Sequence, residues 1–139
     1  MLPKLFTAAS ASQSVPRRAI PLDVRHADAL EEALYSSIVG NLYAVDFYEQ
    51  VGLPMAGSVG DKVPSGYAGF VGIPAEGDER DGAQQPNLSS IILLGNNTVP
   101  VVVANSDYAV LAKCIHRSKR RLDSIFGPAD MVNPLWHTL

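Results

Sequence analysis

Apolar residues recur at helical spacing in the stretch that follows Asp28. Leu30 and Leu34 stand at i and i+4, which places them on one face of a helix. Asp28 and Glu31 have the spacing of an N-terminal capping box. Gly40 is the residue type that most often ends a helix in a left-handed conformation. The pattern therefore predicts a helix that begins at Asp28 and ends at Gly40.

Two shorter elements flank this helix. Ile20 and Leu22 alternate with polar or proline neighbours, which predicts a short strand over Arg18–Asp23. A second helix is predicted over Leu42–Val51, with Gly52 as its end.

The middle of the chain changes to the pattern of strands. Three segments are rich in β-branched and other apolar residues: Gly66–Ile73, Leu88–Leu94 and Val99–Ala104. The first contains three glycines, which predicts an edge strand or a bulge. Pro74–Asn87, with its proline, glycine and acidic residues, is typical of a solvated and mobile hairpin loop.

The last third returns to helical periodicity. Ser106 or Asp107 is the predicted cap of a helix that runs to about Arg121. A short strand over Asp123–Phe126 follows it. Another helix begins at Pro128, and Pro134 should kink or restart it.

Residues 1–17 show no periodicity and are interpreted as a disordered leader. Their Ser- and Ala-rich, acid-free composition also leaves an organellar transit peptide open. The sequence stops at Leu139 on the apolar side of the last helix. We therefore expect residues 18–139 to be one domain cut from a longer protein.

Charge and composition exclude several classes of protein. With 11 basic and 14 acidic residues the formal net charge is −3, so nucleic acid is a poor candidate partner. No apolar run approaches the roughly 20 residues that cross a bilayer, which predicts no membrane partner. One cysteine excludes an intrachain disulfide and fits a cytoplasmic location.

Few residues offer site chemistry. The histidines, His26, His116 and His137, lack neighbours at metal-ligand spacing, and no metal site is predicted. Cys114 stands beside Ile115 in a helix and is interpreted as a buried apolar residue. The basic run His116–Arg121 either complements the helix dipole or contacts phosphate. The acidic residues Glu76, Asp78, Glu79 and Asp81 lack the spacing of a calcium loop.

Two stretches carry a resemblance to a known family. They are Asp28–Gly52, which contains GNLYAVDFYEQVGL, and SIFGPADMVNPLW over Ser124–Trp136. Together with the order of elements, they resemble the GNAT acetyltransferase superfamily. More narrowly, they resemble a domain of unknown function that precedes the catalytic domain in actinobacterial GNAT proteins. The resemblance implies an α/β fold with a mixed, largely antiparallel sheet flanked by helices. The implied order is β-α-α-β-β-β-α-β-α, with the last strands missing.

The same resemblance implies where a cofactor would bind. The family holds the pyrophosphate of acetyl-CoA in a glycine-rich loop between the fourth strand and the third helix. The matching residues here are Val103–Tyr108, VANSDY, which contain no glycine and place Asp107 where the phosphates would lie. The expectation is a degenerate domain with no catalytic, cofactor-binding or metal-binding residues of its own. Acetyl-CoA would serve the full-length protein only.

Two classes of function follow. In the first, the chain is the non-catalytic half of an acetyltransferase, where it shapes the acceptor cleft or docks the catalytic domain. The partners are then that domain in cis and an amine acceptor, and a homodimer stays open. In the second, the chain is a stand-alone binding or dimerisation module with a GNAT-like fold. A phosphate- or nucleic-acid-binding role of His116–Arg121 is a third alternative.

Overall fold

A central five-stranded sheet organises the computed structural model, which describes residues 17–75 and 87–139. The strands lie side by side in chain order. They are β1 (Ile20–Pro21), β2 (Gly69–Pro74), β3 (Leu88–Leu94), β4 (Asn97–Val102) and β5 (Ser124–Ile125). The first four strands pair antiparallel, whereas β5 pairs parallel with β4 through two residues.

Helices cover both faces of this sheet. Within the described residues they are α1 (Ala27–Tyr35), α2 (Leu42–Val51), α3 (Tyr108–Ser118) and α4 (Ala129–Thr138). Short 3-10 helices precede α1 at Val24–His26 and α3 at Asn105–Asp107. The predicted α/β class and the order β-α-α-β-β-β-α-β-α are therefore confirmed.

The three-layer arrangement explains the continuous apolar run in β3. Ile91 and Leu93 face α1 and α2, while Ile92 and Leu94 face α3 and α4. A strand that is buried on both faces has no solvent-facing positions, so its sequence shows no polar alternation.

The prediction for the first helix was wrong at both ends. The helix begins at Ala27 rather than Asp28, and Asp28 lies in its first turn. Asp23 forms the capping contacts one turn earlier, where its carboxylate accepts from the backbone N–H of Arg25. The helix ends at Tyr35, before Gly40. Helix α2, by contrast, has the predicted bounds and ends at Gly52, whose φ is 75°.

Of the two alternatives predicted for the first of the three strands, the edge position was wrong, whereas the irregularity of a bulge is present. Strand β2 lies between β1 and β3, and its register against β3 shifts between Ile73 and Pro74. Gly72 has a packing role in this interior position. A Cβ there would lie 3.0 Å from Leu22 Cδ2 and 3.1 Å from the carbonyl oxygen of Ser90. The glycine thus lets Leu22 reach the core.

Two predictions about the last helices require correction. Asp107 does not cap α3 with its side chain, and α3 ends at Ser118, three residues before Arg121. Lys119 follows in the left-handed conformation with φ 57°. Pro134 lies inside α4 without ending it.

Parts of the sequence-based interpretation fall outside the described residues. These are the leader, apart from Arg17, and residues 76–86 of the hairpin loop with the four acidic residues considered for calcium. In the described part, no helix has the length and apolar character that crossing a membrane requires.

Candidate functional site

The junction between β4 and α3 is the place where the resemblance would put a cofactor. Its 3-10 helix turns the side chain of Asp107 inward, and this residue is fully buried. The hydroxyls of Ser89 and Ser90 each donate to Oδ2 of Asp107 over 2.6 Å. Both serines lie near the start of β3, so the strand and the junction are tied together at this point.

Arg17 supplies the positive charge that faces this buried carboxylate. Its Nη1 lies 2.8 Å from Oδ1 of Asp107, which is within ion-pair distance. Oδ1 nevertheless accepts no hydrogen bond from the described residues. Its Nη2 donates to the hydroxyl of Ser89 over 2.7 Å. The hydroxyl of Ser90 in turn accepts from the backbone N–H of Ala104 over 2.9 Å. A buried charge requires such pairing because its desolvation costs several kcal/mol. Removal of one partner of a buried ion pair typically destabilises a protein by about 3–5 kcal/mol.

This network lies at the junction where the resemblance to the acetyltransferases would place a pyrophosphate. Asp107 contributes a negative charge, and its partners come from within the chain. The junction is therefore a structural link between β3 and α3, with a buried and paired carboxylate at its centre. The sequence analysis singled out Asp107 but missed Ser89 and Ser90. Two adjacent serines at the head of the apolar run IILL were the available signal.

A cavity of about 360 Å³ opens between α3 and α4. Ile115, Leu122 and Leu139 supply apolar walls, and His116 and Arg120 supply polar groups. Trp136 lines it and stays 54% exposed. Helix α4 thus buries Leu135 completely while it presents the tryptophan of the next position to solvent.

The three histidines have different environments. His26 is buried, and its Nδ1 accepts from the backbone N–H of Asp23 over 3.0 Å. Burial is the main reason that the pKa of His26 is lowered, although the nearby Asp23 carboxylate opposes this shift. His116 Nε2 lies 3.3 Å from the carbonyl oxygen of Leu139, and His137 is exposed. No group of metal-ligating side chains occurs among the described residues.

Cys114 is a buried free thiol on the inner side of α3. Burial raises its pKa to about 11, and the positive charge of Arg117 opposes this shift. A thiol with such a pKa contains little thiolate at neutral pH, which makes it a poor nucleophile.

The basic run at the end of α3 forms contacts within the chain. Arg120 donates to the carbonyl oxygen of Gly66 over 2.6 Å and to Oδ1 of Asn96 over 3.1 Å. Arg121 pairs with Asp123 over 2.6 Å. Arg120 therefore links two loops to the helix, a role that neither the helix-dipole interpretation nor the phosphate interpretation included.

Comparison with known families gives one match. The model of a family described as "Domain of unknown function (DUF4081)" matches residues 81–139. The matched segment runs from the hairpin loop through β3, β4, α3 and β5 to α4. No curated protein and no solved structure matches the chain. The expected resemblance to a domain of unknown function is thus supported over this segment, and the match makes no reference to acetyltransferases.

Proposed function

We propose that this chain is the non-catalytic N-terminal half of a GNAT acetyltransferase. In this role it docks the catalytic domain or shapes the cleft for the amine acceptor. The buried Asp107 network at the β4–α3 junction carries the proposal. The order of elements resembles the order expected for the family, and under this proposal the residues at the junction tie the fold together where the family has a phosphate-binding loop. The acetyl-CoA site would then belong to another domain of the full-length protein.

The cavity between α3 and α4 supports a docking role. Its walls are largely apolar, and Trp136 lies at its rim with 54% of its surface exposed. Exposed tryptophans beside apolar pockets are common anchors of protein interfaces, because a large ring gains much free energy on burial. An apolar side chain of the catalytic domain is the expected occupant.

The test compares the protein encoded by the complete reading frame with the 139-residue chain. We expect the longer protein to acetylate an amine from a panel of acceptors when mass spectrometry follows the product, and the shorter chain to be inactive. A complete protein that neither binds acetyl-CoA nor acetylates any amine would show that the proposal is wrong.

A Trp136→Ala variant tests the docking face separately. It should lower the free energy of unfolding of the 139-residue chain by about 1 kcal/mol and that of the complete protein by at least about 2 kcal/mol more. Val51→Ala is the matched control, because Val51 is 65% exposed on α2. This substitution should lower the free energy of unfolding by the same amount in both proteins. Equal losses for Trp136→Ala in the two proteins would contradict docking at this face.

A dimerisation module is the second candidate, and one feature of the β5 side of the sheet favours it. Phe126 and Tyr43 contact each other with ring centroids 5.7 Å apart, yet they stay 44% and 47% exposed. Exposed aromatic pairs of this kind suit a symmetric contact between two copies. Sedimentation velocity decides this point. A dimer that Phe126→Ser dissociates would favour self-association over docking of a catalytic domain.

A further inference from the structure

Basic side chains concentrate in a groove on the outer side of α3, which we call the basic groove. Its volume is about 570 Å³. The lining includes Arg17, Arg18, Lys62, Lys113 and Arg117, which are five of the 11 basic residues of an acidic chain. The lining is thus strongly basic although the chain as a whole is acidic.

Two of these cations are held in place by acidic partners. Arg17 faces the buried Asp107, and Arg18 pairs with Asp61 over 3.0 Å. For the other three cations, no carboxylate lies within ion-pair distance in residues 17–75 and 87–139. The groove therefore keeps a net positive charge after its internal pairs are counted.

Without a bound anion, the unpaired cations destabilise the folded chain because they repel one another. Lys113 and Arg117 stand at i and i+4 on the exposed side of α3, a spacing at which like charges repel by roughly 0.2–0.5 kcal/mol. Lys62, from the loop before β2, lines the same groove. An anion between the walls would convert this repulsion into attraction.

Arg17 is fixed in the lining of the groove by contacts within the chain. Its Nε is buried, and no described residue accepts a hydrogen bond from it. Its two terminal nitrogens are already held by Asp107, Ser89 and Ser106. Oδ1 of Asp107, the other atom of this ion pair, likewise has no hydrogen-bond partner among the described residues, so the unsatisfied donor belongs to the internal pair.

Between the cations the groove has an apolar surface. Ala19, Val63, Ala109 and Val110 supply it, and the two valines are half-buried. Clefts of roughly 300–1,000 Å³ with an apolar lining and a few convergent polar groups are typical of small-molecule sites. The occupant should accordingly combine an anionic group with a compact carbon part.

We propose that the basic groove binds a small phosphate monoester, with the phosphate between Lys62, Lys113 and Arg117 and the carbon part on the apolar surface. The guanidinium of Arg117 can donate two parallel hydrogen bonds to a phosphate. Three cations around one site suit a phosphate monoester, whose charge is about −1.5 to −2 at pH 7, better than a single carboxylate. The proposal does not depend on the proposed function, since the groove lies on the described residues of this chain.

Phenyl phosphate is the probe, followed by two-dimensional NMR of the 139-residue chain at low ionic strength. We expect saturable shifts of the amide signals of α3 and of residues 62–63, with a Kd of about 1 mM or tighter. Inorganic phosphate should bind several-fold more weakly, because it leaves the apolar surface uncovered. Shifts that do not saturate, or that spread evenly over the surface, would overturn the proposal.

A pair of double variants with equal charge change completes the test. Lys113→Gln with Arg117→Gln should weaken the binding of phenyl phosphate at least about tenfold, because two of the three charge-assisted contacts to the phosphate are lost. Lys119→Gln with Arg121→Gln removes the same charge outside the groove and should change the affinity less than twofold. Equal weakening in both variants would show a general charge effect and contradict the site.

Hexaglutamate distinguishes a small molecule from an acidic protein segment. Under the proposal, this peptide binds the groove more weakly than phenyl phosphate does. If hexaglutamate displaces phenyl phosphate and binds more tightly, the groove is a docking surface for acidic peptides and the proposal is wrong.

Discussion

Asp130 shows how one proline is accommodated inside a helix. Pro134 lacks the N–H that would bond the carbonyl oxygen of Asp130, four residues earlier. The hydroxyl of Tyr108, in the first turn of α3, lies 3.4 Å from that oxygen and donates to it. The neighbouring helix thus supplies a donor for the carbonyl oxygen that proline leaves without one.

A double-mutant cycle tests this compensation. Tyr108→Phe should lower the free energy of unfolding by about 1 kcal/mol. In a Pro134→Ala background the same change should cost less than half as much, because the alanine N–H now bonds Asp130. Urea unfolding followed by circular dichroism measures both values. Additive effects would contradict the link.

Tyr35→Phe is the control for this cycle. The hydroxyl of Tyr35 donates to Glu49, which lies far from α4 in the sequence, so the effects of Tyr35→Phe and Pro134→Ala should be additive.

Asp107 is the second residue whose environment makes a sharp prediction. Asp107→Asn keeps an acceptor for one serine but leaves Arg17 facing a neutral group. We expect a loss of about 2 kcal/mol or more in the free energy of unfolding. Asp61→Asn removes the exposed partner of Arg18 and should cost at most about 0.5 kcal/mol. Similar losses for the two variants in urea unfolding would show that the buried network contributes little.

At the scale of elements, the turn before α1 combines an acid and a base. Asp23 is buried and accepts from Arg25 and from the backbone N–H of Gly57 over 3.0 Å. The hydrogen bonds from the Arg25 side chain are the main reason that the pKa of Asp23 is well below its usual range, although burial opposes the shift. His26 accepts from the N–H of Asp23, so it is neutral in this arrangement.

Both groups make the fold sensitive to acid. A histidine whose pKa is lowered in the folded state binds its proton more readily when unfolded, so stability falls as the pH decreases below its ordinary pKa of 6.5. The lowered pKa of Asp23 has the same sign, and its contribution is lost as the pH decreases below 3.8. Acid therefore destabilises this turn in two successive steps.

The first step can be assigned with one substitution. His26→Asn keeps an acceptor for the N–H of Asp23 but does not titrate. Between about pH 7 and pH 5, the urea midpoint of the unchanged protein should decrease, and that of the variant should decrease less. His137→Asn is the matched control, because His137 is exposed and its replacement should leave the slope unchanged. A variant with the slope of the unchanged protein would exclude His26 as the titrating group.

At the scale of the whole molecule, the closed junction and the basic groove predict different responses to acetyl-CoA. Val103–Tyr108 lacks glycine and contains the buried Asp107, so we expect no low-micromolar binding of acetyl-CoA by the 139-residue chain in calorimetry. Any weaker phosphate contact in the groove should disappear in the variant with Lys113→Gln and Arg117→Gln. Low-micromolar binding that persists in this variant would contradict the structural role of the junction.

The sequence by itself determined the class and order of the elements. The period of 3.6 in the helices and the β-branched runs of β3 and β4 are local patterns. Each can be recognised from residues that lie within a few positions of one another. The bounds of α2 and β3 were predictable for this reason, since Gly52 ends the one and turn residues flank the other. The helix ends around Asp28, Gly40 and Arg121 were not, because capping depends on which polar groups the rest of the fold leaves unsatisfied.

Only the tertiary structure decided which distant side chains meet. Arg17, Ser89 and Asp107 are separated by 72 and 18 positions along the chain, and no local pattern relates them. The basic groove likewise joins the segment before β1, the loop at Lys62 and one side of α3. Spacing in the sequence reveals contacts within one element, whereas these contacts arise from the order in which the strands pair and from the face that each helix covers.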